Sequence, residues 1–281
     1  MLYLVGTPIG NIGDLSPRAR QVLSDVDVIA CEDTRVTGIL LKACGIEPKK
    51  LFCYQEHNKA SKGPQLIDML RQGLDVAQVS DAGMPAISDP GEDLVRLAIE
   101  AELDITVVPG PVAAMSALVL SGLDTRYCHF EGFLPQDNTR RRERLNRLTK
   151  YDETIILYEA PHRINKLIEE LISAGFEDSN IAFAREITKK YEEVIRLKVN
   201  EAPGYFEANP PRGEFVICLE PLEQKAEAES GMCDADTLIK LLIEKNMPTK
   251  EISQVVSRAL GLPKKDVYKR SLELASMKNY N

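Results

Sequence analysis

Residues 80–91 read Ser-Asp-Ala-Gly-Met-Pro-Ala-Ile-Ser-Asp-Pro-Gly, SDAGMPAISDPG, and what flanks them decides the fold. Immediately before stands a short apolar run, Val76, Ala77, Gln78 and Val79, that reads as a buried strand. Immediately after come Leu94, Leu97 and Ala98 at helical spacing, so that Asp89 reads as an N-cap with Pro90 at the first helical position. Two glycines and two prolines among carboxylates and hydroxyls are more turn chemistry than a simple connection needs. A stiff polar loop at the carboxyl end of a strand is where open α/β sheets place their ligands. The plainer reading is a well-made strand-to-helix turn.

The same unit recurs on both sides. Residues 2–5 (LYLV) form a strand that ends in GTPIGNIG at 6–13, and Ser16-Pro17 caps a helix carrying Ala19, Val22 and Leu23. Residues 26–31 (VDVIAC) form a strand ending in Glu32, Asp33, Thr34 and Arg35, with a helix through Ile39, Leu40 and Ala43 that stops at Gly45. A strand at 51–54 and a helix from Gln65 to Gln72 follow. After residue 104, the strand 105–108 runs into Pro109-Gly110-Pro111 and a small-residue helix through Ala113, Ala114 and Ala117. Five alternations of strand, loop and helix predict a parallel sheet with helices on its faces and its polar loops along one edge.

From Leu123 the pattern changes. The segment 129–135 mixes aromatics with turn residues, and 140–150 is strongly basic around Leu145 and Leu148. Strands are expected at 154–157, 181–184, 193–198 and 215–220, with a helix opening at Tyr158 to Arg163; this is a mixed sheet of α+β type. Residues 221–230 read as a linker or as the frayed start of a helix. Three helical patterns occupy 234–276, and from 231 to the end there are nine Lys/Arg against six Asp/Glu, so the last stretch reads as a small basic helical unit, resembling a helix-turn-helix or else a plain helical cap. The expected divisions are 1–121, 122–222 and 231–281.

Composition excludes several classes. Hydrophobic content of 44% and charged content of 28% are those of an ordinary globular protein. No apolar run approaches the ~20 residues of a membrane span, and MLYLVGTPIG reads as a first strand rather than a signal peptide. Six scattered cysteines without a CxxC pair point to a reducing compartment. Three distant histidines show no metal spacing, so no metal is expected. A net charge of −8 discourages nonspecific nucleic-acid binding by the whole surface but leaves local basic patches open.

Taken singly, the loops are weak signals. GTPIGNIG fits neither a phosphate loop nor the GxGxxG dinucleotide fingerprint. CEDTR reads equally as a helix cap at Asp33 or Thr34, and AREITKKYEE as surface salt bridging. Together, VGTPIGNIGDLSPRA, CEDTR, SDAGMPAISDPG, VVPGPVAA, EGFLP, YEAPHR and REITKKYEE strongly resemble the tetrapyrrole-methylase superfamily. Within it they resemble the branch that methylates the ribose 2′-hydroxyl of a cytidine in 16S ribosomal RNA.

The resemblance implies a two-domain α/β enzyme with S-adenosylmethionine bound in the cleft between the domains. It further implies the small ribosomal subunit as partner, a homodimer and a cytoplasmic location. Carried onto this sequence, it points to Pro8 and Ile9, to Asp81, Gly83 and Met84, and to Pro111 and Val112 as cofactor contacts. Tyr158 and Ala184 would complete that set from the second domain. A ribose hydroxyl is a poor nucleophile, so a group must orient it or take its proton; the candidates are Asp33, favoured, with Glu32, Glu186 and Lys189. Lys189 would need a lowered pKa. Arg35, Arg140, Arg141, Arg142, Arg144, Lys264 and Lys265 would hold RNA phosphates. Two other readings remain open: C-methylation of a tetrapyrrole precursor, and a non-catalytic RNA-binding assembly factor.

Overall fold

The computed structural model describes residues 1–47, 49–222, 235–245 and 247–278. The expected linker falls, from residue 223 onward, outside them, as does Cys233. The described residues form two compact units, Met1–Leu222 and a C-terminal helical unit within Glu223–Asn281.

The first unit contains two five-stranded sheets. Strands β1 (Leu2–Val5), β2 (Val28–Cys31), β3 (Lys50–Cys53), β4 (Val76–Gln78) and β5 (Ile105–Val108) are parallel throughout, in the order β3-β2-β4-β1-β5. The strands in the middle of this sheet are buried on both faces, which is why β2 reads as an unbroken apolar run and β4 as one closed by the buried Gln78. Helices α1 (Pro17–Asp25) and α2 (Thr34–Ala43) cover one face, where Leu23 and Leu41 pack on Val5, Ile29 and Ala77. Helices α3 (Lys59–Arg71) and α4 (Glu92–Glu100) cover the other, with Leu66, Ile67, Leu94 and Ala98 against Leu2, Val28 and Val76. Ser16 and Asp33 cap α1 and α2 as expected, whereas α3 starts at Lys59 and runs through Pro64.

The fifth helix, α5 (Ala113–Ser121), goes elsewhere. It is apolar on nearly every side, and Ala114, Ala117 and Leu118 are buried against Ile156, Ala182, Val216 and Cys218 of the second sheet. That sheet comprises β6 (Cys128–Phe133), β7 (Thr154–Glu159), β8 (Asn180–Arg185), β9 (Glu193–Lys198) and β10 (Phe215–Leu219), in the order β6-β7-β10-β8-β9. Only β6 and β7 are parallel. Its far face carries α6 (Asn138–Leu148), α7 (Ile164–Ser173) and α8 (Ala202–Ala208), with Leu145, Leu148, Leu167, Ile168 and Phe206 on Ile155, Leu157, Phe183 and Ile217. Two elements went unread in the sequence. Strand β6 carries a bulge between Phe130 and Gly132 that breaks its alternation, and α8 opens on Ala202-Pro203-Gly204.

The C-terminal unit is three helices, α9 (Ala235–Glu244), α10 (Thr249–Leu260) and α11 (Lys264–Lys278), around Ile239, Ile252, Val256, Val267 and Leu274. Gly261, at φ 65°, ends α10 in the left-handed conformation, and Leu262-Pro263 turns the chain into α11. Arg270 ties α11 to Asp236 of α9.

Candidate active site

Three loops from the carboxyl edge of the first sheet meet in close contact. Thr7 and Gly83 exchange backbone hydrogen bonds at 2.9 and 3.1 Å, and the Thr7 hydroxyl donates to the carbonyls of Ser80 and Gly83. Gly6 lies against Gly110 so closely that a Cβ on Gly6 would stand 2.6 Å from the Gly110 Cα. Gly83, at φ 82°, needs a left-handed backbone, and a Cβ there would stand 3.3 Å from Ile9 Cγ2. Because α5 lies on the second sheet, the loop that precedes it is carried towards the ends of β7, β8 and β10.

The result is a cleft of about 400 Å³ within the first unit, a size typical of small-molecule sites. Of the cofactor positions expected from the sequence, Ile9, Gly83, Met84, Val112, Tyr158 and Ala184 line it. Pro8, Asp81 and Pro111 are outside its lining. Pro8 and Pro111 flank Ile9 and Val112 in the chain, and the Asp81 carboxylate accepts the Asp33 N–H at 3.1 Å. Phe133, Ile187, Phe215 and Asp89 also line the cleft; none of them is given a site role by the sequence, where Asp89 reads only as a helix cap. The walls are strained on both sides. Ala86 and Ser88 take φ of 67° and 62° in one wall, and Glu186 and Thr188 take 51° and 66° in the loop after β8. Non-glycine residues in this region concentrate at functional sites.

Asp89 does not cap α4. The helix starts at Glu92 with Gly91 (φ 147°) as its N-cap, and no side chain caps it. The Pro90 carbonyl is taken by the Gln78 amide at 2.7 Å, and a Cβ on Gly91 would collide with that amide at 2.2 Å. The chain therefore stays non-helical to Gly91, and Asp89 faces the cleft. Burial pushes its carboxyl up to about 6, helped by the charges of Glu32 and Asp81, with the Ser80 side chain pulling the other way. Glu32 is raised too, by burial first and then by Asp81 and Asp33. Across the cleft Tyr158 is raised, chiefly by burial, and feels the Asp89 charge.

The other expected proton acceptors are occupied. Asp33 is the N-cap of α2 and forms a two-pronged pair with Arg35, at 2.7 and 3.1 Å; hydrogen bonding to Arg35 takes its carboxyl down to about 2. Such a carboxylate is a poor base, and the phosphate-binding role given to Arg35 meets a guanidinium already engaged. Lys189 donates to Glu186 at 3.0 Å and Glu214 at 2.8 Å. Burial works to lower its pKa, but these two carboxylates outweigh burial and raise it, the opposite of what a base requires. For Glu186 burial pulls upward, and the Glu214 N–H and Lys189 win, holding it low.

The basic segment divides. Arg141 is 1% exposed, ion-paired to Glu159 at 2.9 Å and Glu170 at 2.7 Å. It belongs to the interior and corrects the expectation of a phosphate ligand, because it shares the buried face of α6 with Leu145 and Leu148, four and seven residues on. Arg144 is held by both oxygens of the buried Glu131 carboxylate, which pairs also with His129. Arg140 and Arg142 are exposed, as are Lys264 and Lys265 at the start of α11.

Comparison with known proteins completes the description. Residues 1–203 match the model of the tetrapyrrole (corrin/porphyrin) methylases, and residues 233–275 match that of the RsmI C-terminal HTH domain. A Synechocystis sp. protein named ribosomal RNA small subunit methyltransferase I is 39% identical over 277 residues, covering 98% of each chain. A protein of the same name from Escherichia coli O157:H7 is 38% identical over 275 residues, covering 97% of this chain and 94% of its own. Among solved structures, cobalt precorrin-4 methyltransferase superposes with a TM-score of 0.60 at 21% identity, over 78% of this chain and 94% of that one. Uroporphyrin-III C-methyltransferase from Thermus thermophilus, complexed with S-adenosyl homocysteine, gives 0.54 at 18% identity, over 78% and 96%. At those identities the likeness is one of fold.

Proposed function

The chain belongs to the tetrapyrrole (corrin/porphyrin) methylase family, and from that premise we propose that it methylates the ribose 2′-hydroxyl of a cytidine in 16S ribosomal RNA. It is a methyltransferase that uses S-adenosylmethionine, and its near full-length relatives are named for the small-subunit RNA. The single observation that favours RNA over a tetrapyrrole is the pairing of the methylase fold with the C-terminal helical unit, which matches the RsmI C-terminal HTH domain. A cytidine of the decoding region, a homodimer and a cytoplasmic location are parts of this reading. Among the described residues no helix is long and apolar enough to cross a membrane. Exposed Val107 on the edge strand β5, with Met115 and Val119 on α5, supports a second copy.

The cleft fits the methyl donor. Ile9, Met84 and Val112 offer the flat adenine an apolar wall, and the backbone near Gly83 and Pro111 offers hydrogen bonds with no Cβ at Gly83 in the way. Asp81, Pro8, Tyr158 and Ala184 complete the assignment from both sheets. S-adenosylmethionine supplies a methyl carbon activated by a sulfonium. The chain's own task is to set the acceptor oxygen in line behind that carbon, to exclude water and to receive a proton. Arg140, Arg142, Lys264 and Lys265 are assigned to RNA phosphates.

Labelled methyl transfer from S-adenosylmethionine to small subunits lacking this modification tests the reading, with the product nucleoside identified. 2′-O-methylcytidine is expected. Transfer to a porphyrinoid instead, or no transfer to any subunit, refutes it.

A further inference from the structure

We propose that the ring of Phe133 is the platform on which the target nucleobase stacks once its nucleotide has left the RNA helix, a proposal that rests on the methyl-transfer reading above. The cleft itself calls for such a platform. A ribose oxygen stands in line behind the donor's methyl carbon only if the ribose enters the cleft, and a nucleotide still stacked between its neighbours cannot follow it in. The nucleotide must swing out, and its base gives up its stacking partners. Proteins that read splayed RNA bases replace those partners with aromatic faces.

Strand β6 supplies one. Of the large apolar side chains left exposed among the described residues, Phe133 and Ile87 are the two that line the cleft, at 56% and 40% exposure. In a regular strand Phe130 and Phe133, three residues apart, would point to opposite faces. The bulge between Phe130 and Gly132 takes up one residue, so Phe130 lies opposite Ile156 and Phe133 opposite Tyr158. Ile156 and Tyr158 share the face of the second sheet that meets α5, and the bulge brings both phenylalanines to it. Each ring touches that of Tyr158, with centroids 5.3 Å apart. Phe130 packs on into the apolar cluster beneath α5, whereas Phe133 stays open to solvent at the cleft.

Gly132, at φ 68°, completes the placement. A Cβ there would stand 3.1 Å from the Ser88 hydroxyl oxygen, so β6 runs close beside the loop that carries Ile87. Ile87 and Phe133 therefore stand on neighbouring segments of the cleft wall. Tyr158 already fixes the tilt of the Phe133 ring, at 59° to its own plane, so the ring loses little freedom when a base covers it.

The test is methyl transfer to small subunits lacking the modification, for wild type, Phe133→Ala, Phe133→Leu and Phe133→Tyr. Cofactor affinity is measured by calorimetry, and melting and sedimentation are recorded for each variant. Loss of one base–aromatic stack weakens binding ~5–150-fold, so Phe133→Ala should lose that much in kcat/KM for subunits with cofactor affinity unchanged. Phe133→Tyr keeps the aromatic face and should stay near wild type. Phe133→Leu is apolar without such a face and should fall close to alanine. A leucine variant as active as wild type overturns the proposal, because the position then asks only for apolar bulk; so does an alanine variant of full activity. A cofactor affinity lost in proportion to the rate overturns it by making Phe133 a wall of the cofactor site, and altered sedimentation by making it a contact between copies. Failure of wild type itself to methylate subunits would remove the functional reading instead, and is read from the same control.

Discussion

Asp89 is placed at a cost to the fold, and the cost is measurable. An aspartate in the unfolded chain titrates near 3.8, and folded Asp89 holds its proton to about 6. The folded state thus binds more protons between those values, so stability falls as pH climbs through that window and is level above it. At about 1.4 kcal/mol per tenfold change in proton affinity, the displacement sets a ceiling of ~3 kcal/mol on ionising Asp89 in place. Solvent reaches the half-buried carboxyl, which brings the figure to ~1–2 kcal/mol. Asp89→Asn keeps the shape and removes the charge. Its Met1–Leu222 unit should melt roughly 2–8 °C higher at pH 7.5, with the gain shrinking towards zero near pH 4, where both proteins are neutral at this position. Scanning calorimetry of the full chain at both pH values decides it. Equal melting at pH 7.5, or an equal gain at pH 4, would refute an uncompensated charge at Asp89.

Arg141→Met should destabilise the first unit by ~3–5 kcal/mol in urea unfolding, because it leaves Glu159 buried with one partner fewer; a change under 1 kcal/mol would return Arg141 to the surface. Gly83→Ala forces a side chain into a left-handed backbone at ~1–2 kcal/mol and presses on Ile9, so its cofactor dissociation constant, read by calorimetry, should rise about tenfold or more. The double variant Lys264→Ala/Lys265→Ala should bind small-subunit RNA more weakly, with the slope of log affinity against log salt reduced by ~2, and should leave cofactor affinity unchanged. An unchanged slope would take α11 out of the RNA contact.

Much of this was legible in the chain. The repeated strand-loop-helix unit foretold the parallel sheet and the alignment of its polar loops, because buried parallel strands must be apolar throughout and crossovers must be helical. Six of the nine positions expected to touch the cofactor line one cleft. What escaped did so for physical reasons. Asp89-Pro90 has the composition of a helix start, and only Gly91, a residue with little reason to sit in a first turn, hinted otherwise. Arg140, Arg141 and Arg142 are alike in sequence, and the one that turns inward is chosen by Glu159 and Glu170, which lie 18 and 29 residues further on. Asp33 satisfied both of its readings by composition, and the structure gives it the plainer one, the helix cap.

Helix α5 follows the last strand of one sheet yet buries its apolar side on the other. On the ribosome, β1 to β5 can pair as soon as they emerge, whereas the surface that α5 needs is complete only with β10, about a hundred residues later. At ~5–20 residues per second that is ~5–20 s of exposure for a helix with little polar surface of its own. The growing chain therefore passes through a stage with an uncovered apolar helix, and it is then that a chaperone has its opening.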